Sequence, residues 1–400
     1  MTKPFIFTLY SMLQTIIKRL KRYRVIYNAN AADESRHSKR ALLVYVVKPF
    51  LPETSRHAFP SHQNERQCKQ IAAILGEFGY IVDVVDVRDT RFRPSRNYDI
   101  VISNRATLTG HANASRADAM RIYLATTTSP RVHNAKLRKR HELLSARRQC
   151  KVMIRRRYPE VMPYVTKADA IIGFGNDLNM STWKEVFEGP IYGFNNYGYK
   201  ETRFPIEPRD FAGARTNFLF FASKSQIQKG LDLLLEIFPR HTDLHLYVCS
   251  LFKNEKDFCA CYHKELYETP NVHPIGWIRV NSDEFYDLVQ KCAYVIHPSC
   301  SDGQPGSVVQ CMYSGLVPLV TREAGIDTED FGMTFFDDSL DEIERVIVKV
   351  SQLPEDWHRT YSIRTRKTAE EKYSEGAFTN RWRTILTELL SRSGVRRTDS

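Results

Sequence analysis

The sequence predicts an α/β protein of two domains, each a parallel sheet wrapped by helices. Three observations carry this. β-Branched runs alternate with helical apolar spacing in both halves, which is the rhythm of βαβ units. The rhythm breaks at residues 200–215, KETRFPIEPRDFAGAR, which hold two prolines and no periodicity, and then restarts. A chain of 400 residues is long enough for two or three cores, and its apolar and charged fractions are those of an ordinary globular protein.

Residues 3–24, KPFIFTLYSMLQTIIKRLKRYR, join an apolar stretch to the basic run Lys18 to Arg24. The stretch is too short and too polar to span a bilayer. It reads either as a basic amphipathic helix lying in a membrane interface or as a helix packed on its own protein. Residues 28–40, NANAADESRHSKR, read as a polar linker. ALLVYVVKPF (41–50) is a strand. NERQCKQIAAILGEFGY (64–80) is a helix, with apolar spacing at Cys68, Ile71, Ala72, Leu75 and Phe78 and a stop at Gly79. IVDVVDV and YDIVIS are the next strands. Residues 131–160 read as a long basic helical region, and ADAIIGFGN and IYGFNN as two further strands.

The second half gives the strands NFLFFAS, LHLYVCS, NVHPIG, AYVIHPS and LVPLVT. Between them lie the helices KGLDLLLEIF, FCACYHKELYE, SDEFYDLVQKC and GSVVQCMYSG, and everything after residue 338 reads as helix. The expected organisation is an N-terminal segment and linker (1–40), a first domain (41–205), a second domain (206–370) and a C-terminal helix and tail (371–400).

Charge is divided unevenly. Residues 1–160 hold 31 Lys+Arg against 12 Asp+Glu, a net of +19; the remaining 27 against 34 give −7, which together make the +12 of the chain. The basic half suits an anionic partner such as a nucleic acid, a lipid surface or a phosphorylated ligand, or it is a solvated helical face. It lacks the interleaved aromatics of single-strand binders and any helix-turn-helix pattern, which argues against nucleic acid. The eight cysteines have no regular spacing, and Cys259 and Cys261 lack a second pair to make a zinc site. Cys249, Cys292 and Cys311 read as small core residues. The expected compartment is therefore reducing, and no cleavable signal peptide is evident.

Ligands of open parallel sheets bind beyond the carboxyl ends of the strands. Three such ends stand out in the second half. In FFASKSQIQKGLDLLL a strand ends at Ser223, Lys224 and Lys229 follow, and Gly230 opens a helix. Lys229 there could face an anion together with a helix N-terminus, or be a solvated lysine. In NVHPIGWI a strand ends at Gly276 and Trp277 follows, offering cover for a flat ring or merely a loop. In HPSCSDGQPGSVVQ the turn is Asp302, Gly303, Gln304, Pro305, Gly306 and Ser307, with Gln310 one helical turn on. The glycines allow close backbone approach to a ligand. With no cation near it in sequence, Asp302 is poised to accept from hydroxyls. The plainer alternative is an Asp N-cap with incidental glutamines. An acid and amides for hydroxyls, beside cations for phosphates, describe a nucleotide-sugar site.

Together these residues resemble the C-terminal domain of family 4 glycosyltransferases, the retaining group 1 class with the GT-B fold. The match lies in Lys229-Gly230 with Lys224 before it, in NVHPIG, and in HPSCSDGQPGSVVQCMYSGLVP. It extends over about residues 216–330, and ERQCKQIAAILGEFGYIVDVVDV adds a weaker likeness to the family's first helix and second strand. The family carries two glutamates eight apart where this chain has Asp302 and Gln310. It has a glycine pair where this chain has His62-Gln63, ahead of Glu65.

The resemblance implies two Rossmann-like domains facing a cleft, with the last helices crossing back to the first domain. It implies sugar transfer from a nucleoside-diphosphate sugar to a glycan or lipid-linked acceptor. Asp302 would face the sugar, Gln310 the ribose, and Lys229 and Lys224 the diphosphate. His62, Gln63 and Glu65 would lie on the acceptor side. No Asp-x-Asp occurs, so neither a metal nor a resident cofactor is expected. A cytoplasmic enzyme is expected, peripheral on the membrane through its first helix and residues 136–157. The rival from another class is a nucleotide-sugar or glycan binder that has lost turnover, motivated by Gln310.

Overall fold

The computed structural model describes residues 25–51, 63–89, 91–104, 118–160, 162, 164–199 and 209–398, with side chains as far as Arg392. The basic N-terminal segment, His62 and most of the 200–215 break lie outside them. The strands of the first sheet are β1 (Val25–Ile26), β2 (Lys39–Tyr45), β3 (Tyr80–Asp86), β4 (Ile100–Ser103), β5 (Met120–Ala125), β6 (Ala170–Phe174) and β7 (Ile191–Phe194). They are ordered β1-β3-β2-β4-β5-β6-β7 and are parallel except for β1. The second sheet contains β8 (Asn217–Phe221), β9 (His245–Cys249), β10 (Val272–His273), β11 (Tyr294–His297), β12 (Val317–Thr321) and β13 (Met333–Phe335). It is wholly parallel, in the order β10-β9-β8-β11-β12-β13.

That second order is the 3-2-1-4-5-6 arrangement of dinucleotide-binding sheets, whose direction of winding reverses between β8 and β11. The first sheet reverses between β2 and β4. A crevice opens at each reversal because the flanking connections leave the strand ends on opposite faces of the sheet.

Three strands escaped the sequence reading. β5 carries Arg121 in an otherwise apolar run, and β1 and β13 are only two and three residues long. β10 is shorter than expected because Pro274 has no amide to give, although Gly276, at φ 98°, still donates its N–H to Val248 C=O of β9 at 3.2 Å. Residues 28–38 are not a free linker. Asn28 N–H donates to Asp83, while the Asn30 amide accepts from Val82 N–H and donates to Tyr80 C=O, in place of strand hydrogen bonds along the edge of β3.

Helix α1 (Gln63–Glu77) packs its Cys68, Ile71, Ala72 and Leu75 face against the first sheet. Helix α2 (Pro130–Arg148) ends twelve residues earlier than the basic run suggested, because Gln149 caps it in the left-handed conformation, φ 54°. A non-helical segment then continues to residue 160. Leu144 and Val152 belong to the core of the second domain, although they precede it in the chain. After α3 (Gln226–Lys229), α4 (Leu231–Ile237), α5 (Asp283–Lys291) and α6 (Gly306–Tyr313), three helices finish the chain: α7 (Leu340–Ser351), α8 (Glu355–Lys372) and α9 (Glu375–Thr398). α8 stays on the second domain through Ala369, while α9 sets Phe378, Trp382, Ile385, Leu386 and Leu389 into the core of the first. This is the expected return crossing.

Candidate functional site

The loop Pro298–Pro305 leaves β11 at the reversal of the second sheet, and Ser223, Lys224 and Ser225 leave β8 beside it. Ser223 and Lys224 are exposed. Lys229 does not open a helix as expected. It closes the single turn α3, and Gly230, at φ 84°, joins α3 to α4. Glycine is required there twice over, by the positive φ and because a Cβ would strike the carbonyl of Pro298. The start of α3 is already taken by the chain's own anion: the Glu255 carboxylate accepts from the N–H groups of Ser225 and Gln226.

Asp302 is not alone. Its carboxylate pairs with the Lys229 ammonium and accepts from His297 at 3.1 Å and from Gly303 N–H at 2.9 Å. Asp302 and Lys229 are only 8% and 6% exposed. Burial pushes the Asp302 carboxyl up, but Lys229, the His297 hydrogen bond and Arg156 together outweigh it and hold the group well below the usual carboxylate range. Sequence alone could not show this pair, because 73 residues separate its members.

The first domain closes over the same loop. A Cβ on Gly303 would collide with the Thr126 carbonyl, and one on Gly306 with Gln63. What approaches these glycines closely is therefore the other domain, where a ligand was expected. Gln304, held at φ 59°, accepts from Asn196 N–H and donates to Asn195 Oδ1 and Gly325 C=O at 2.9 and 2.8 Å. Gln310 grips the backbone of Tyr199, accepting from its N–H at 2.8 Å and donating to its C=O at 3.2 Å. Asn179 donates to the carbonyl of Asp302 at 2.8 Å. Pro305 and Ser307 form the entry of α6 in the same seam. Gln63 donates to Tyr197 C=O, and Glu65 is buried against Lys48 at 2.6 Å. Trp277 is exposed beside Gly276, whose missing Cβ faces Lys253.

His133 was missed by the sequence reading. It sits one turn into α2, after the Ser129-Pro130 start that could have drawn attention to it. It is fully buried. Its Nε2 lies 2.9 Å from Arg156 C=O, and because a carbonyl only accepts, this nitrogen carries the proton. Nδ1 then accepts from Ser301 Oγ at 3.0 Å, which in turn accepts from Thr128 at 2.7 Å. Burial pulls the imidazole down to about 4, so it is neutral at ordinary pH.

The basic segment around α2 is largely committed to carboxylates, most of them in the second domain. Arg140, fully buried, meets Asp338 at 2.7 Å and Asp232 at 3.7 Å. Arg147 meets Asp232 and Glu236, Arg148 meets Glu265, Arg155 meets Glu255 and Asp257, and Lys136 meets Glu323. A face expected to meet a membrane is thus mainly a strap between domains. Cys150 and Cys261 form a disulfide across it, which runs against the expected reducing compartment. Their spacing of 111 residues gave no hint of it.

The arrangement is a polar seam between two Rossmann-like domains at the carboxyl ends of their strands, with a buried ionised carboxylate paired to Lys229, Lys224 on the adjacent strand end, and converging amides and hydroxyls. Residues 215–352 match the family model of group 1 glycosyl transferases. Most of the chain is similar in fold to many solved structures. Sucrose-phosphate synthase from Thermosynechococcus elongatus aligns with a TM-score of 0.61 at 11% identity, over 89% of this chain and 100% of that one. Anabaena HepE in complex with UDP-glucose aligns at 0.56 and 14%, over 88% and 100%. TarM of S. aureus aligns at 0.52 and 13%, over 71% of this chain and 53% of its own length, so the chain spans about half of that protein. No curated protein matches by sequence. The fold is therefore GT-B, and the second domain carries the group 1 glycosyltransferase pattern.

Proposed function

We propose that the chain transfers a sugar from a nucleoside-diphosphate sugar to a hydroxyl of a glycan or lipid-linked acceptor, with retention of configuration. The carrying observation is the Asp302–Lys229 pair at the winding reversal of the second sheet, facing the strand ends of the first domain. The likeness to a structure holding UDP-glucose supports a nucleoside-diphosphate donor.

Asp302 is poorly suited to be a nucleophile, since Lys229, His297 and Gly303 N–H already occupy its oxygens. Its role is to keep the ammonium of Lys229 in place, with the one acceptor position left by its three partners open to a sugar hydroxyl. The bond from the sugar to the diphosphate breaks through an oxocarbenium-like state. The acceptor oxygen attacks the same face, and its proton passes to the departing phosphate oxygen. Lys229 and Lys224 neutralise that leaving group, so the protein works by positioning and electrostatic stabilisation. The sequence offers no Asp-x-Asp, and the lysines are assigned the neutralising role without metal or cofactor.

The second reading, a non-catalytic binder, is favoured by one observation: Gln310, at the position of a family acid, is spent on Tyr199. Incubating the purified chain with a panel of nucleoside-diphosphate sugars separates the two. Release of nucleoside diphosphate, with the sugar product still carrying the donor's anomeric configuration by NMR, is expected; binding without release supports the binder.

The reading places the enzyme peripherally on an anionic membrane surface, held by residues 1–24, since the strap's cations are mostly engaged. The Cys150–Cys261 bridge argues against a reducing compartment, so the assignment is to the surface and not to its cytoplasmic side. Each added basic residue near an anionic surface contributes about 1 kcal/mol. No helix among the described residues is long and apolar enough to cross a membrane. Sedimentation with anionic vesicles should fall on deleting residues 1–24; equal binding with and without them removes this assignment.

A further inference from the structure

Arg156 is set apart on the strap by how its backbone is held, and it shares with Arg157 an exposed side chain without a carboxylate partner among the described residues. Lys136, Arg138, Arg140, Arg147, Arg148 and Arg155 each meet a carboxylate. Among the described residues, Arg156 makes no ion pair, and its side chain is exposed. Its backbone is nevertheless the most tightly prescribed part of the segment. It lies at φ 59°, a conformation an arginine keeps only where its surroundings fix it. On one side Arg155 is tied to Glu255 and Asp257. On the other, Tyr158 and Asn134 exchange hydrogen bonds of 3.1 and 2.7 Å. Arg156 C=O itself is held by His133, whose other nitrogen is bonded to Ser301, the residue before Asp302. The chain thus fixes Arg156 relative to the Asp302 loop through a buried relay, yet leaves the guanidinium unspent. That guanidinium acts electrostatically on Asp302, Lys229 and His133.

Charge shows what it awaits. Lys229 shares its charge between Asp302 and the leaving group. Lys224 and Arg156 remain, two positive charges beside a crevice read as a nucleotide-sugar site, and a diphosphate diester carries two negative ones. We propose that Arg156 is a phosphate-binding residue, donating from the first half of the chain to a non-bridging oxygen of the donor's diphosphate. A guanidinium offers a planar pair of N–H donors that fits phosphate oxygens better than an ammonium does. This inference rests on the donor reading given above.

The test is calorimetric titration of the full chain with UDP, GDP and ADP, followed by the monophosphate and free nucleoside of whichever binds best. Arg156→Asn is the main variant, because asparagine tolerates the left-handed backbone. It should weaken the diphosphate by about 10- to 100-fold, the range of a charged hydrogen bond, weaken the monophosphate less, and leave the nucleoside unchanged. Arg156→Lys should fall between, and it carries the test if the asparagine variant does not fold. Unchanged diphosphate affinity, or equal loss for the nucleoside, overturns the assignment of Arg156 alone. A wild-type chain that binds none of the three diphosphates overturns the donor reading, and this inference with it.

Discussion

At the floor of the cleft the two halves meet through neutral groups: Gln304 with Asn195 and Asn196, Gln310 with the Tyr199 backbone, and Asn179 with the Asp302 carbonyl. Along the strap they meet through guanidinium and carboxylate, closed by the Cys150–Cys261 bridge. The two seams differ in what can replace them. A neutral hydrogen bond nets about 1 kcal/mol, and water or a sugar hydroxyl can take either partner. A buried Arg–Asp pair has no such substitute, since separating it strands a charge. Exchangeable contacts line the cleft floor, while permanent ones run along the strap and hold Arg156 at its edge.

The strap should therefore be the costlier seam to damage. Arg140→Ala leaves Asp232 buried with Arg147 as its remaining cation, and burial already pushes that carboxyl up to about 6. A loss of about 3–5 kcal/mol in urea unfolding is expected, the range for breaking a buried pair. A loss below about 1 kcal/mol would make the strap no stronger than the amide seam.

The pH dependence of the His133 relay comes next. Its folded value, about 4, lies below the ordinary 6.5. A depressed histidine binds protons more readily when unfolded, so its contribution is complete above pH 6.5 and is lost as pH falls towards 4. The difference of 2.5 units corresponds to about 3 kcal/mol at most. Stability measured across this window should fall in the wild type and fall less in His133→Asn. Identical profiles would show that the relay does not titrate in this way.

Reducing the disulfide, or Cys150→Ser, should lower stability by about 2–4 kcal/mol. It should leave nucleoside-diphosphate affinity unchanged, because Arg156 is held by His133 and by the ties of Arg155 and Tyr158 without the bridge. A parallel loss of affinity would join the two seams into one unit.

The smallest effect is expected at the cleft. Gln310→Leu removes both hydrogen bonds to Tyr199 and should cost about 1–2 kcal/mol. Gln310→Glu keeps the acceptor but sets a carboxylate against the Tyr199 carbonyl, so it too should destabilise. If Glu is neutral, Gln310 is not serving Tyr199 in solution.

The same contrast explains what the sequence showed. The strand ends of the second domain were legible, because β-branched runs and glycines at fixed offsets record local geometry. Ser223, Lys224, Lys229 and Asp302 could be picked from them. Their partners could not. Glu255 fills the α3 amides from about 30 residues away, and Tyr199 fills Gln310 from 111. The basic run of α2 looked like an outer face because its acids lie in the other domain. The residues that decide between ligand contact and domain contact, Gln304 and Gln310, have the same chemistry for either task.

The decisive measurement is the steady-state turnover of nucleoside-diphosphate sugar by the wild type and by Asp302→Asn, which keeps shape and removes the charge that anchors Lys229. The wild type should release nucleoside diphosphate, and the folded variant should lose roughly two to three orders of magnitude in kcat/KM, the scale of one preorganised electrostatic contact. A folded Asp302→Asn chain turning over at the wild-type rate would contradict the assignment of this crevice as the site of sugar transfer.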